Sequence, residues 1–212
     1  MARISKGILG PVSGTVGTVI GGSWKGISYL RSQPAAKKHS PTTDQIDHQL
    51  RFSVVLNFIQ TMTGLIQLTF KKYAIKMSEF NAAFSYNYHN ALTGSAPDYA
   101  IDFTKALVSR GELPNAAAPS ATVTGNSIYF TWTDNSGTGA AAATDNAVLV
   151  VFCPNLNVTQ YSTNSATRSS GAGAIDVANF NGEMVETWIA FLSEDGKEAS
   201  NSMYTGELTV TM

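Results

Sequence analysis

From Ala121 onward, apolar and polar residues alternate in short runs separated by turn residues, and this pattern constrains the fold more than any other feature. "ATVTG" and "SIYFTWTD" are joined through Gly125 and Asn126, where a tight turn is expected, and "NAVLVVFC" reads as a central strand. "GAIDVANF", "MVETWIAFLS" and "KEASNSMYTGELTV" complete the set, with Asp195 and Gly196 predicted to turn the chain between the last two. Six or seven strands in about 90 residues is the density of an immunoglobulin or fibronectin type III-like antiparallel β-sandwich, with a small barrel as the rival. Trp132 and Trp188 are its candidate core residues. Cys153 is the single cysteine, so the chain has no intrachain disulfide, and its apolar setting predicts a buried structural thiol.

Upstream, the period changes. Ile46, Leu50, Val54, Phe58 and Met62 recur every four residues, and Val55 and Ile59 widen the stripe, which predicts a helix with a broad buried face. Thr42 and Gln45 have the spacing of a capping box, and Gly64 is expected to end or bend the helix. A second helical region is predicted from Leu65 to Leu92, broken near Met77, with Ser78 capping "EFNAAFSYNYHNAL". "TGSAP" at 93–97 reads as a turn and a boundary, followed by "YAIDFTKALVS" as a strand. The predicted class is therefore α+β. Residues 1–97 form a glycine-rich β-hairpin arm plus two or three helices, and residues 98–212 form the sandwich, its first strand shared with the N-terminal part.

The arm is "GILGPVSGTVGTVIGGSWKGISYLRS", with glycines at 7, 10, 14, 17 and 21. A helix carrying all five would lose about 4 to 5 kcal/mol in propensity, and no phosphate-loop pattern GxxxxGK[ST] is present. Two extended runs, Thr15–Ile20 and Ser23–Arg31, reversed at Gly21–Gly22, are expected instead. Gly10, Gly14, Gly17, Gly21 and Gly26 are the candidate structural glycines. Gly17, Gly21 and Gly26 are expected to face a nearby backbone or aromatic ring, in this chain or in the next copy. Trp24, Ile27 and Tyr29 supply candidate interaction area, and Lys25, Arg31, Lys37 and Lys38 supply charge.

The 212-residue chain has 43% apolar residues, enough for a substantial core, and a net charge of −1 that hides an asymmetry. Residues 1–110 carry 12 Lys/Arg against 5 Asp/Glu, and residues 111–212 carry 2 against 10. Such a split permits head-to-tail association of copies. The apolar stretch after Arg3 and Lys6 is interrupted by Gly, Thr and Ser, so neither a signal peptide nor a transmembrane segment is expected, and localisation is left open. His39, His48 and His89 form no HExxH pair or cysteine-containing set, so no metal site, cofactor or catalytic group is predicted. The dispersed lysines and arginines lack a reading motif, which disfavours nucleic acid.

"GILGPVSGTVGTVIGGSWKGISYLRSQP", "PTTDQIDHQLRFSVVLNFI", "EFNAAFSYN", "IYFTWTDNSGTGAAAATDNAVLVVF" and "AFLSEDGKEASNSMYTG" together resemble a family of unknown function from Bacteroidota. Its members combine an N-terminal Gly/Trp-Lys-Gly segment with a C-terminal β-domain. The resemblance spans nearly the whole chain. It singles out Gly10, Gly14, Gly17, Trp24, Lys25, Gly26, Arg31, Pro34, Asn81, Ala82, Tyr86, Trp132 and Asp134, and it implies a bacterial or phage source but no catalytic residue.

The expected function is non-catalytic: a structural or adaptor protein that self-associates through its arm or assembles into a cell-surface or virion-like complex. The alternatives are a monomeric carbohydrate- or protein-binding module and a nucleic-acid-associated protein acting through the basic half.

Overall fold

The structure is a computed structural model that describes residues 2–4, 7, 10–34 and 40–211. Contacts divide the chain into two compact units, residues 1–42 and residues 43–212.

In the first unit, β1 (Arg3–Ile4), β2 (Val12–Val16), β3 (Val19–Trp24) and β4 (Ile27–Ser32) pair in that order as an antiparallel meander. The reversals fall one on each side of the expected place. Val16 pairs with Val19 around Gly17–Thr18, and Trp24 pairs with Ile27 around Lys25–Gly26, while Gly21 and Gly22 lie within β3. Lys25 and Gly26 have φ of 45° and 82°, the two positive values that a type I′ hairpin turn needs. The sequence reading placed the turn at the glycine pair. The structure gives that pair a packing task instead.

In the second unit, α1 (Thr43–Gln60) leads into α2 (Thr63–Thr69) through a bend of 82°. The bend falls at Thr61–Met62, before Gly64. A Cβ at Gly64 would sit 2.6 Å from the Tyr161 hydroxyl, so this glycine makes room for a sheet side chain rather than ending the helix. α3 (Glu79–Asn90) begins where expected, with Ser78 accepting a hydrogen bond from Asn81 N at 3.1 Å. No single helix among the described residues is long and apolar enough to cross a membrane. "TGSAP" and the residues after it form a hairpin, β5 (Leu92–Ser95) with β6 (Asp98–Ile101), rather than a turn followed by one long strand.

Seven further strands make two antiparallel sheets. β7 (Ala117–Thr124), β8 (Ser127–Thr133), β9 (Asn146–Cys153), β10 (Val158–Ser162), β11 (Ala172–Asp176), β12 (Met184–Leu192) and β13 (Met203–Thr209) follow in chain order. Their spatial orders are β10-β9-β12-β13 and β11-β8-β7. Ile128, Phe130 and Trp132 of β8 pack with Leu149, Val151 and Cys153 of β9 and with Ile189 and Phe191 of β12, forming the core between the sheets.

The opposite face of β9 and β12 carries Val148, Val150, Phe152, Trp188 and Ala190, and these pack on Val55, Phe58 and Ile59 of α1 and Leu65 and Ile66 of α2. The four-stranded sheet is thus covered on both faces, which is why β9 reads as an unbroken apolar run. The same arrangement ties the helices and the strands together. Separating the helices would strip one face of this sheet bare, so helices and strands share one unit and the division falls between residues 42 and 43. Trp132 lies between the sheets, whereas Trp188 lies on the helix side and donates from Nε1 to the Phe103 carbonyl at 3.3 Å. The α+β class holds throughout.

Candidate functional site

The described residues of the four-stranded meander bury almost nothing. Gly21 is the one buried residue among its described residues. A Cβ there would lie 2.1 Å from the Val12 carbonyl oxygen, so the start of β2 crosses directly over β3 and only glycine permits the approach. On the other face, the Tyr29 ring lies over its cross-strand neighbour Gly22, where a Cβ would meet it at 3.0 Å.

Alternation sorts the remaining side chains. Trp24, Ile27 and Tyr29 share one face, since Trp24 pairs with Ile27 and Gly22 with Tyr29. Leu30, opposite Gly21, shares the other face with Val16 and Val19. Trp24 is 56% exposed, Ile27 65% and Leu30 63%, values far above those of side chains that stabilise a fold by burial. β4 is exposed along its whole length and pairs with β3 alone among the described residues, so its outer edge offers free backbone groups. Gly10, Pro11 and Val12 face Ser28, Tyr29 and Leu30 across an open depression of about 520 Å³.

Charge sharpens the picture. Residues 1–42 carry 6 Lys/Arg and no Asp or Glu, whereas residues 43–212 carry 8 Lys/Arg against 15 Asp/Glu. The boundary between units is a boundary between a cationic and an anionic polypeptide.

Of the residues expected to interact, Trp24, Ile27 and Tyr29 come together, Lys25 occupies the adjacent turn, and Arg31 lies exposed on β4. Lys37 and Lys38 fall outside the described residues. Gly10 lines the depression, and Gly14 pairs with Gly21 at a φ of 103°. Within one copy of the chain Gly17 and Gly26 face open space. They are turn glycines with positive φ, and only Gly21 of the three meets a backbone. Cys153 is a buried free thiol between the sheets. Leu30, Val16 and Val19 are not among the expected residues, because the sequence pattern gives two extended runs and assigns no faces to them. The Trp-Lys-Gly-Ile stretch carried the correct signal, a glycine at the second position of a two-residue loop.

Two polar clusters lie inside the second unit. Arg168 is fully buried: Nε donates to Asp145 Oδ2 at 3.0 Å, Nη1 to Asn135 Oδ1 at 2.7 Å, and Nη2 to the Pro114 carbonyl at 3.0 Å. Its guanidinium carbon sits 3.8 Å from the centre of the Phe191 ring. Burial pushes the arginine pKa down, while the Asp145 carboxylate opposes that shift. The Tyr204 hydroxyl donates to Glu186 Oε2 at 2.6 Å. Burial raises the Glu186 pKa, the tyrosine hydrogen bond opposes this, and the nearby Glu207 reinforces it. The Tyr204 pKa is also raised, chiefly by burial. Both clusters are internally paired and tie loops and strands together. Among the described residues, no group of three or more His, Cys, Asp or Glu is placed to hold a metal ion.

A model described as "Family of unknown function (DUF6266)" matches residues 11–206, and the chain belongs to this family. No curated protein matches the chain. A solved structure titled "Myokine structure" shows 11% identity and a TM-score of 0.32, covering 46% of this chain and 99% of that one.

Proposed function

We propose that this protein is a non-catalytic assembly component whose N-terminal β-meander docks on the acidic unit of a second copy. The observation that carries the reading is the pairing of exposed apolar side chains with one-sided charge. Trp24, Ile27, Tyr29 and Leu30 stand exposed on a unit with no acidic residue, and the rest of the same chain carries the compensating negative charge. The unit has 42 residues and no cysteine, and its described residues form no apolar core, so it lies near the size at which isolated domains need staples or association, and a partner surface would supply the missing burial. The exposed edge of β4 adds a route through strand pairing. The division of the last seven strands into three and four, with a shared apolar core, supports an immunoglobulin or fibronectin type III-like scaffold for the acidic unit.

Light scattering on the full chain and on the double variant Ile27→Asp with Leu30→Asp tests the reading. Both positions are exposed, so the variant is expected to fold. The wild type is expected to exceed the monomer mass and the variant to return to it. A wild type that stays monomeric at near-millimolar concentration would favour the alternative of a monomeric module that stacks sugar rings on Trp24 and Tyr29.

A further inference from the structure

A separate feature of the second unit has the makings of a ligand site. Tyr73, Met77, Ser85, Tyr86, His89 and Arg110 line a surface pocket of about 440 Å³ beside α3. The Arg110 guanidinium carbon lies 4.1 Å from the centre of the Tyr73 ring and 4.9 Å from that of Tyr86. Two rings therefore hold the planar cation, and such stacking leaves the in-plane N–H groups for other partners. The Arg110 side chain makes no hydrogen bond or ion pair among the described residues. Lys72, by contrast, is engaged by both Glu112 and Glu198. Among the described residues, no carboxylate lines the pocket, and Ser85, Tyr73 and Tyr86 are part of its wall.

We propose that this pocket binds the carboxylate of a small organic molecule, with Arg110 as the bidentate anchor. The planar Arg110 guanidinium, with its free edge donors, matches the charge and the geometry of a carboxylate. A phosphate dianion would bring one negative charge more than Arg110 alone neutralises. Tyr86, Tyr73 and the Met77 thioether supply area for the apolar body of the ligand.

Fluorine NMR of 4-fluorobenzoate with the full chain reads the binding directly, whatever the oligomeric state. Saturable broadening is expected for 4-fluorobenzoate and not for its neutral isostere 4-fluorobenzamide, with displacement by acetate more effective than by inorganic phosphate. Arg110→Lys keeps the charge but loses the fork and is expected to weaken binding roughly tenfold or more. Ser85→Trp fills the pocket from an exposed helix position without touching the arginine, and it is expected to abolish binding. Equal binding of the amide, stronger displacement by phosphate, or unchanged binding in Ser85→Trp would overturn the assignment.

Discussion

Replacing Arg168 by Met would test whether its buried cluster holds the acidic unit together. Methionine is unbranched and apolar and reaches only to the position of Nε, so the substitution keeps the aliphatic stem while removing the charge and three hydrogen bonds. What it leaves behind decides the cost. Asp145, 2% exposed, would keep one donor to its Oδ2, the Ala142 N–H at 3.0 Å, and would face an apolar side chain with its charge uncompensated. Breaking a buried pair by removing one partner costs about 3 to 5 kcal/mol. With a urea slope of roughly 2 kcal/mol/M, the unfolding midpoint should fall by about 1.5 to 2.5 M. The hydrogen bond from Trp132 Nε1 to the Arg168 carbonyl is a backbone contact and survives, so the indole remains a reporter of native packing. Adding Asp145→Asn should recover part of the loss, because the orphaned charge disappears. A midpoint shift below about 0.5 M in the single variant, or a double variant no better than the single one, would refute the reasoning.

Glu186→Gln should raise stability at pH 8, with the gain shrinking toward pH 4. The native state raises the pKa of this carboxyl, so it binds its proton more tightly folded than unfolded, and wild-type stability falls as pH rises through that range. Thermal melts across pH check this, and a pH-independent difference would contradict it. Gly21→Val would place a Cβ 2.1 Å from the Val12 carbonyl and should abolish hydrogen-exchange protection in β3 while leaving the main unfolding transition in place. Retained protection would show that β2 does not cross β3 as described.

The helices and the C-terminal strands were readable from periodicity. The stripe from Ile46 to Met62 and the Ser78 cap marked α1 and the start of α3, and Gly125 and Asn126 marked the turn between β7 and β8. What the sequence withheld was tertiary. A glycine at a turn and a glycine under a crossing strand look alike, and the preference for the Gly21–Gly22 pair hid the Lys25–Gly26 turn. The run "NAVLVVFC" announced burial on both faces but did not say that helices provide one of the covers. Arg110 drew no notice because its neighbours, Tyr73 and Tyr86, are distant in sequence and meet it only in the fold.

The proposal that the cationic arm docks on the anionic unit of another copy is tested most directly by sedimentation of the full chain across a salt series. Charge attraction reaches about 14 Å at 50 mM salt and about 4 Å at 0.5 M. Oligomers at low salt that dissociate as salt rises, and that are absent at every salt in Ile27→Asp with Leu30→Asp, are the predicted result. A chain that is monomeric throughout, or an oligomer indifferent to both salt and the arm substitutions, would contradict it.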